Sequence, residues 1–289
     1  MFANAVTLVA EFTRPVLVST RQLSGKIETG CGTYVLLNAD GWILTAGHIL
    51  RALLKSRDDN PKHDAYRAAR QAIEIDTSLS KGARKQRLNA LKCDRSWLTN
   101  TSYWWGDDNV SAASWHFAGL PDLAAVKLAN YKFSANQKFA KFGDPFVKLP
   151  QGKSLCKLGY PFHKFETDFD DTTGKFVIRE LPPLVRYPLD GIVTRYNLIK
   201  SPDGKRVAKF VEMSTPGLRG QSGGPWFDVN GTVWGIQSRT HHLPLGFSPE
   251  VDVKSKKITE HQFLNAGAAA YVTEIVQFLD HHKIAFNRM

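Results

Sequence analysis

The stretch LRGQSGGPWF places Ser222 between Gly220 and the pair Gly223-Gly224. A serine hydroxyl is a poor nucleophile at neutral pH. A catalytic Ser222 therefore needs a base to take its proton, a group to orient that base, and N–H donors for the charge that develops on the attacked carbonyl. Two upstream segments offer partners. His48 closes Thr45-Ala46-Gly47-His48 at the end of the strand-like run WILTA, and Asp122 stands in PDLAAV at the start of another. Asp107 and Asp108 of WWGDDN also lie between His48 and Ser222, but in a polar loop with no strand like LAAVKL behind them. Taken singly, each residue reads as structural: a turn serine, a satisfied histidine at a strand end, a capping aspartate. Taken together, in the order His48, Asp122, Ser222, they read as a catalytic set.

The Gly220 to Gly224 segment fits two templates. The first is the G-x-S-x-G nucleophile elbow, which requires a helix directly after the serine. Here Pro225 follows within three residues and WFDVNGTVWGI reads as a β-hairpin. Elbow enzymes also place acid and histidine after the serine, the reverse of this chain. The second template holds: with TAGH, PDLAAV and GQSGGP in that order, the chain resembles the trypsin-like (chymotrypsin-fold) serine protease family. TGCGTYVLL and WILTAGHI are similar to its first-barrel hairpin, LGYP and GIV to second-barrel strands, and GIQS to its substrate-binding strand.

That resemblance implies an all-β fold of two six-stranded antiparallel β-barrels within one peptidase unit, 1–289. The first barrel spans 14–135, the second 145–265, and the active site lies between them. It implies a serine endopeptidase acting on protein or peptide substrates, with no cofactor and no metal. His48, held by Asp122, would take the proton of Ser222 and return it to the leaving amine, while the N–H groups of Gly220 and Ser222 would form the oxyanion hole. Pro216, Gly217, Gln237, Ser238, Arg239 and Thr240 are the expected substrate-binding positions.

Three departures from the family pattern bear on mechanism and specificity. Gln221 stands where animal members keep an aspartate that pairs with a newly cut N-terminus, which shifts the resemblance toward bacterial and organellar members and leaves open what orders the oxyanion hole. Pro216 replaces the aspartate that selects Lys or Arg, and Gln237 replaces the histidine of glutamate-specific relatives. A small or uncharged residue at the cleavage site is the expectation.

The elements that must position these residues follow from pattern. VLVST, TGCGTYVLLN, WILTA, PDLAAVKLAN, SLCKLGYP, FVIREL, GIVTRY, AKFVEMS and PWFDVNGTVWGIQS are short β-branched or aromatic runs, separated by turn dipeptides such as Asp203-Gly204 and Asn230-Gly231. Between His48 and Asp122 the pattern changes: Ala65, Ala69, Ala72 and Ile73, then Leu88 and Leu91, recur at helical spacing, so a helical insertion is expected over about 50–118. A C-terminal helix is expected over 268–286, with Val272, Ile275, Val276 and Leu279 on one stripe.

The formal charge is +11, with 38 Lys and Arg against 27 Asp and Glu, which favours anionic partners. Between Arg51 and Arg95 there are twelve Lys or Arg against six Asp or Glu, so the insertion is a candidate surface for a regulatory protein or a polyanion, although solvated helix faces account for the same charges. No run of ~18 apolar residues that could form a membrane span occurs. The three cysteines, Cys31, Cys93 and Cys156, form no C-x-x-C pair, which points to a reducing, cytoplasmic setting. The adjacent histidines His241-His242 and His281-His282 lack metal-ligand spacing, and the acidic run FETDFDDTTG reads as a loop tip.

Overall fold

The computed structural model describes residues 1–181, 183–253 and 256–289. Strands β1 (Thr13–Gln22), β2 (Ile27–Leu36), β3 (Trp42–Ala46), β4 (Leu98–Trp104), β5 (Ser111–Ala118) and β6 (Leu123–Ala129) form one antiparallel sheet in the order β4-β1-β2-β3-β6-β5. Strands β3 and β6 are buried along nearly their whole length, which explains their near-continuous apolar runs. This sheet curls but stays open: β4 and β5, consecutive in the chain, lie at its opposite edges.

The second sheet takes β7 (Lys141–Phe142), β8 (Ser154–Gly159), β11 (Tyr187–Lys200), β12 (Val207–Met213), β13 (Pro225–Phe227), β14 (Val233–Pro244), β17 (Phe263–Tyr271) and β18 (Asn287–Arg288). Six of these run β13-β8-β11-β12-β17-β14, and a β13–β14 pairing closes them into a ring to which β7 and β18 are appended. Two hairpins project from it: β9 (Glu166–Asp170) with β10 (Lys175–Glu180), and β15 (Glu250–Val253) with β16 (Lys256–Thr259). The acidic run expected to be a loop tip is therefore strand β9 and its turn. The turn is closed by Thr172 N–H and the Thr173 hydroxyl on the Asp170 carboxylate.

Among the described residues, four α-helices complete the fold. The N-terminal apolar patch forms α1 (Ala3–Ala10), which buries Ala5 and Val9, and Phe2 just ahead of it meets Phe227 edge-on. The insertion holds α2 (Arg51–Ile75) and α3 (Lys81–Ala90). It is shorter than the 50–118 expected, because residues 98–118 rejoin the first sheet as β4 and β5, and Trp105 is a buried core residue packed on Tyr34. Helix α2 turns Tyr66, Ala69 and Ile73 toward its neighbours and leaves Ala65 and Ala72 exposed. It is pinned at buried Asp59, which accepts from Leu98 N–H and from the ammonium groups of Lys55 and Lys62. Burial raises the Asp59 pKa, but those hydrogen bonds outweigh it and the net shift is downward. The terminal helix α4 (Val272–His281) is shorter than 268–286, because residues up to Tyr271 belong to β17. It buries Val272, Ile275, Val276, Phe278 and Leu279. Among the described residues, no helix is long and apolar enough to cross a membrane.

Candidate active site

Strand register explains how His48 and Asp122 meet. Ala46, the last residue of β3, pairs with Leu123, the first of β6, so the residues just beyond these ends are neighbours. The chain leaves β3 in a 3-10 turn, Gly47–Leu50, tied down by Gly47 N–H on the Asp122 carbonyl (2.8 Å). Asp122 adopts φ +67, a left-handed conformation that Asp tolerates better than most residues. Its side chain then reaches back: Oδ1 accepts the His48 backbone N–H at 2.8 Å, and Oδ2 lies 2.9 Å from His48 Nδ1. Ser238 donates to the same Oδ2 at 2.5 Å. Asp122 is only 5% exposed, so each of these charge-assisted bonds acts where water does not compete. Asp107 and Asp108 lie elsewhere: Asp107 accepts from Asn109 N–H and Asp108 from the Trp104 indole.

Ser222 and His48 line one cleft of about 910 Å³. Half-buried Ser222 keeps its hydroxyl free of hydrogen bonds among the described residues, while its carbonyl accepts Thr33 N–H at 2.8 Å. Catalytic hydrogen bonds of this kind are commonly long before substrate binds. The loop ahead of Ser222 is a tight turn in which Gln221 N–H donates to the Leu218 carbonyl at 2.9 Å, with Gly220 third at φ +102. That is the conformation a type II turn demands of its third residue. A Cβ there would stand 2.3 Å from the Tyr160 carbonyl oxygen, so glycine is required twice over. The N–H groups of Gly220 and Ser222 have no acceptor among the described residues.

Two residues, through contacts that the sequence did not disclose, fix this loop. Thr33 of β2 donates its hydroxyl to the Gly220 carbonyl at 2.7 Å, so the first sheet grips the nucleophile loop directly. Gln221, fully buried, accepts Leu218 N–H at 3.0 Å and donates to the Tyr187 carbonyl at 3.3 Å. Its amide joins the loop on both sides without a charge. Ser238, expected only as a substrate-binding residue, also orients Asp122.

Gly217, Gln237, Ser238, Arg239 and Thr240 line the cleft. Pro216 is not among the lining residues, and its neighbour Thr215 accepts Gly267 N–H of β17 at 2.9 Å. Cys31 also lines it, yet burial pushes its thiol up to about 12, so it stays protonated and is a poor competing nucleophile. The histidines His241 and His242 are engaged by Glu212 and Asn265.

A model of the trypsin-like peptidase domain matches residues 32–236. The chain belongs to the trypsin-like peptidase family. It is a serine endopeptidase, a hydrolase of peptide bonds. Among solved structures, this peptidase is similar to the active form of the Rv3671c protease from M. tuberculosis, at 13% identity and TM-score 0.52, covering 98% of this chain and 87% of that one. It is also similar to the serine-to-alanine variant of the HtrA-type protease AlgW with a tripeptide, at 15% identity and TM-score 0.50, covering 98% of this chain and 65% of that one. At such identities these likenesses speak for the fold. A comparison with curated proteins finds no match.

Proposed function

We propose that His48, Asp122 and Ser222 form the catalytic triad of this peptidase, with the N–H groups of Gly220 and Ser222 as the oxyanion hole. Ser222 Oγ attacks the scissile carbonyl carbon as His48 Nε2 takes its proton, and the tetrahedral oxyanion settles on the two N–H donors. The C–N bond then breaks, the His48 proton passes to the departing amine, and an ester to Ser222 remains. Water attacks that ester with His48 again as base, and the acid product leaves as Ser222 regains its proton. Asp122 remains a carboxylate throughout and fixes the imidazole with its Nδ1–H toward Oδ2. The observation that carries this reading is the doubly anchored His48–Asp122 pair at the rim of the cleft that Ser222 lines. Its test is covalent labelling of Ser222 by a fluorophosphonate, which requires an activated serine.

Gln221 bears on how the hole is ordered. Its buried amide supports an oxyanion loop built from within the chain, with no need of a new N-terminus. Docking of a regulatory protein or polyanion on the basic α2–α3 insertion is a second reading. It is favoured by the start of α2 three residues after His48, where Arg51 and Ala52 line a hollow that His48 and Ile49 also border. A reducing, cytosol-like compartment belongs to the same proposal, supported by the free thiols of Cys31, Cys93 and Cys156.

A further inference from the structure

The cleft that holds Ser222 and His48 is unbalanced in charge. Lys164, Arg219 and Arg239 line it, all of them exposed, and Glu28 is the one carboxylate among the described lining residues. Glu28 is already matched from outside the cleft by the Lys26 ammonium at 2.6 Å. Lys164 and Arg219 make no side-chain hydrogen bond or ion pair among the described residues. Arg239 rests its guanidinium 4.9 Å from the Phe210 ring centroid and donates from Nε to the Ser238 hydroxyl at 3.4 Å, which leaves its terminal N–H groups without an acceptor there. Nor does the acidic β9–β10 hairpin cancel these charges. Arg179 answers both Asp168 and Glu166, Arg21 pairs with Asp171 at 3.0 Å, and Asp170 closes its own turn. The Lys157 ammonium is fully buried on the Thr215 carbonyl at 2.8 Å and is not among the lining residues, so it makes no contact in the cleft.

The three cations stand on separate elements around one opening. Arg219 directly precedes Gly220, so its long side chain reaches residues adjoining the attacked carbonyl, whose Cα atoms follow one another at about 3.8 Å. Arg239 follows Ser238, the residue that donates to Asp122. Lys164 lies on the loop between β8 and β9, which is tied across to β2 where the Thr29 hydroxyl donates to the Phe165 carbonyl at 3.1 Å. A cleft with low-dielectric walls concentrates the field of its lining charges, so unpaired cations placed here act on whatever enters.

We propose that this peptidase selects acidic segments, with Asp or Glu at positions flanking the cleaved bond, and that Arg219, Arg239 and Lys164 are the residues that select them. The proposal rests on the catalytic reading above and narrows its substrate class. It concerns the flanking residues and not the one directly before the bond. An exposed ion pair changes an equilibrium by about 2- to 5-fold, so three acting on one peptide multiply to ~10-fold or more, and salt weakens them together.

The experiment measures kcat/KM on peptides that share both residues of the cleaved bond and carry Glu, Gln or Lys in the flanks, using chain already shown to take a fluorophosphonate at Ser222. At low salt the Glu-flanked peptide should exceed the Gln-flanked one by ~10-fold or more and the Lys-flanked one by ~100-fold, with the gaps closing at about 0.5 M salt. In Lys164→Gln with Arg219→Gln, the Glu-to-Gln ratio should fall by ~5-fold or more, whereas Arg219→Lys, which keeps the charge, should hold most of it. Lys200→Gln with Lys205→Gln removes the same charge from the β11–β12 turn, outside the lining residues, and should leave the ratio at its parental value. Labelled chain that cleaves all three peptides equally overturns the acidic preference and leaves the triad standing. An equal fall in the Lys200 and Lys205 variant traces the preference to overall charge and overturns the role of the cleft residues. Chain that takes no label overturns the catalytic reading, and the substrate assignment with it.

Discussion

Replacing Gly220 with alanine perturbs the oxyanion hole without touching His48, Asp122 or the Ser222 hydroxyl. Residue 220 sits at φ +102, where an L-residue costs about 1–2 kcal/mol. The added Cβ would also stand 2.3 Å from Tyr160 O and 2.8 Å from Pro161 Cα, both backbone atoms that cannot rotate away. The turn must therefore shift, and the residue 220 N–H moves with it. Losing one such donor removes about 3 kcal/mol of transition-state stabilisation, or roughly 10²-fold in kcat. The assay is burst kinetics on an activated ester: acylation should slow by ~100–1000-fold with KM changed little, because the donor binds the oxyanion more strongly than the ground-state carbonyl. Thermal unfolding of the same variant should show a loss of about 1–3 kcal/mol. Parental acylation in a folded Gly220→Ala protein would refute this account of the hole.

Two further expectations follow from buried charges. In Asp122→Asn, the amide nitrogen cannot accept from His48 Nδ1–H and Ser238 as the carboxylate does, so the imidazole turns to the wrong tautomer; kcat should drop by ~10⁴ with the fold intact by circular dichroism. Lys157 is fully buried, and burial lowers its pKa from 10.5 to about 7. Between those two values the unfolded chain holds a proton that the folded chain does not, so stability should rise with pH from about 7 to 10.5 by up to ~1.4 kcal/mol per pH unit from this group. Urea unfolding across that range should show the slope in the parent and a flatter, higher curve in Lys157→Met; an unchanged slope would exclude Lys157 as its source.

The catalytic order was legible because the chemistry-bearing residues sit at strand ends with local signatures: TAGH after WILTA, Asp122 before LAAVKL, glycines around Ser222. The contacts that finish the site were not. Ser238 meets Asp122 from 116 positions away and Thr33 meets Gly220 from 187, and no spacing rule relates a single hydroxyl to a partner at that range. The offset of Pro216 from Ser222 suggests a cleft position, yet Pro216 is not among the residues that line the cleft. The backbone bond from Gly267 to Thr215, which no side-chain pattern encodes, ties its segment to β17. Strands β4 and β5 leave little signal in the sequence because LTNTSYW and SAASWHFA are edge strands with little apolar alternation, lying next to a strongly helical stretch. Helix α1 is eight residues long, and its helical form rests on packing against the two sheets more than on local signal.

The most direct test of the account is the site and rate of fluorophosphonate labelling in the purified chain, mapped by mass spectrometry. The account predicts a single adduct on Ser222, slowed by at least ~10³-fold in His48→Ala. An adduct on another residue, or equal labelling rates in the parent and His48→Ala, would contradict it.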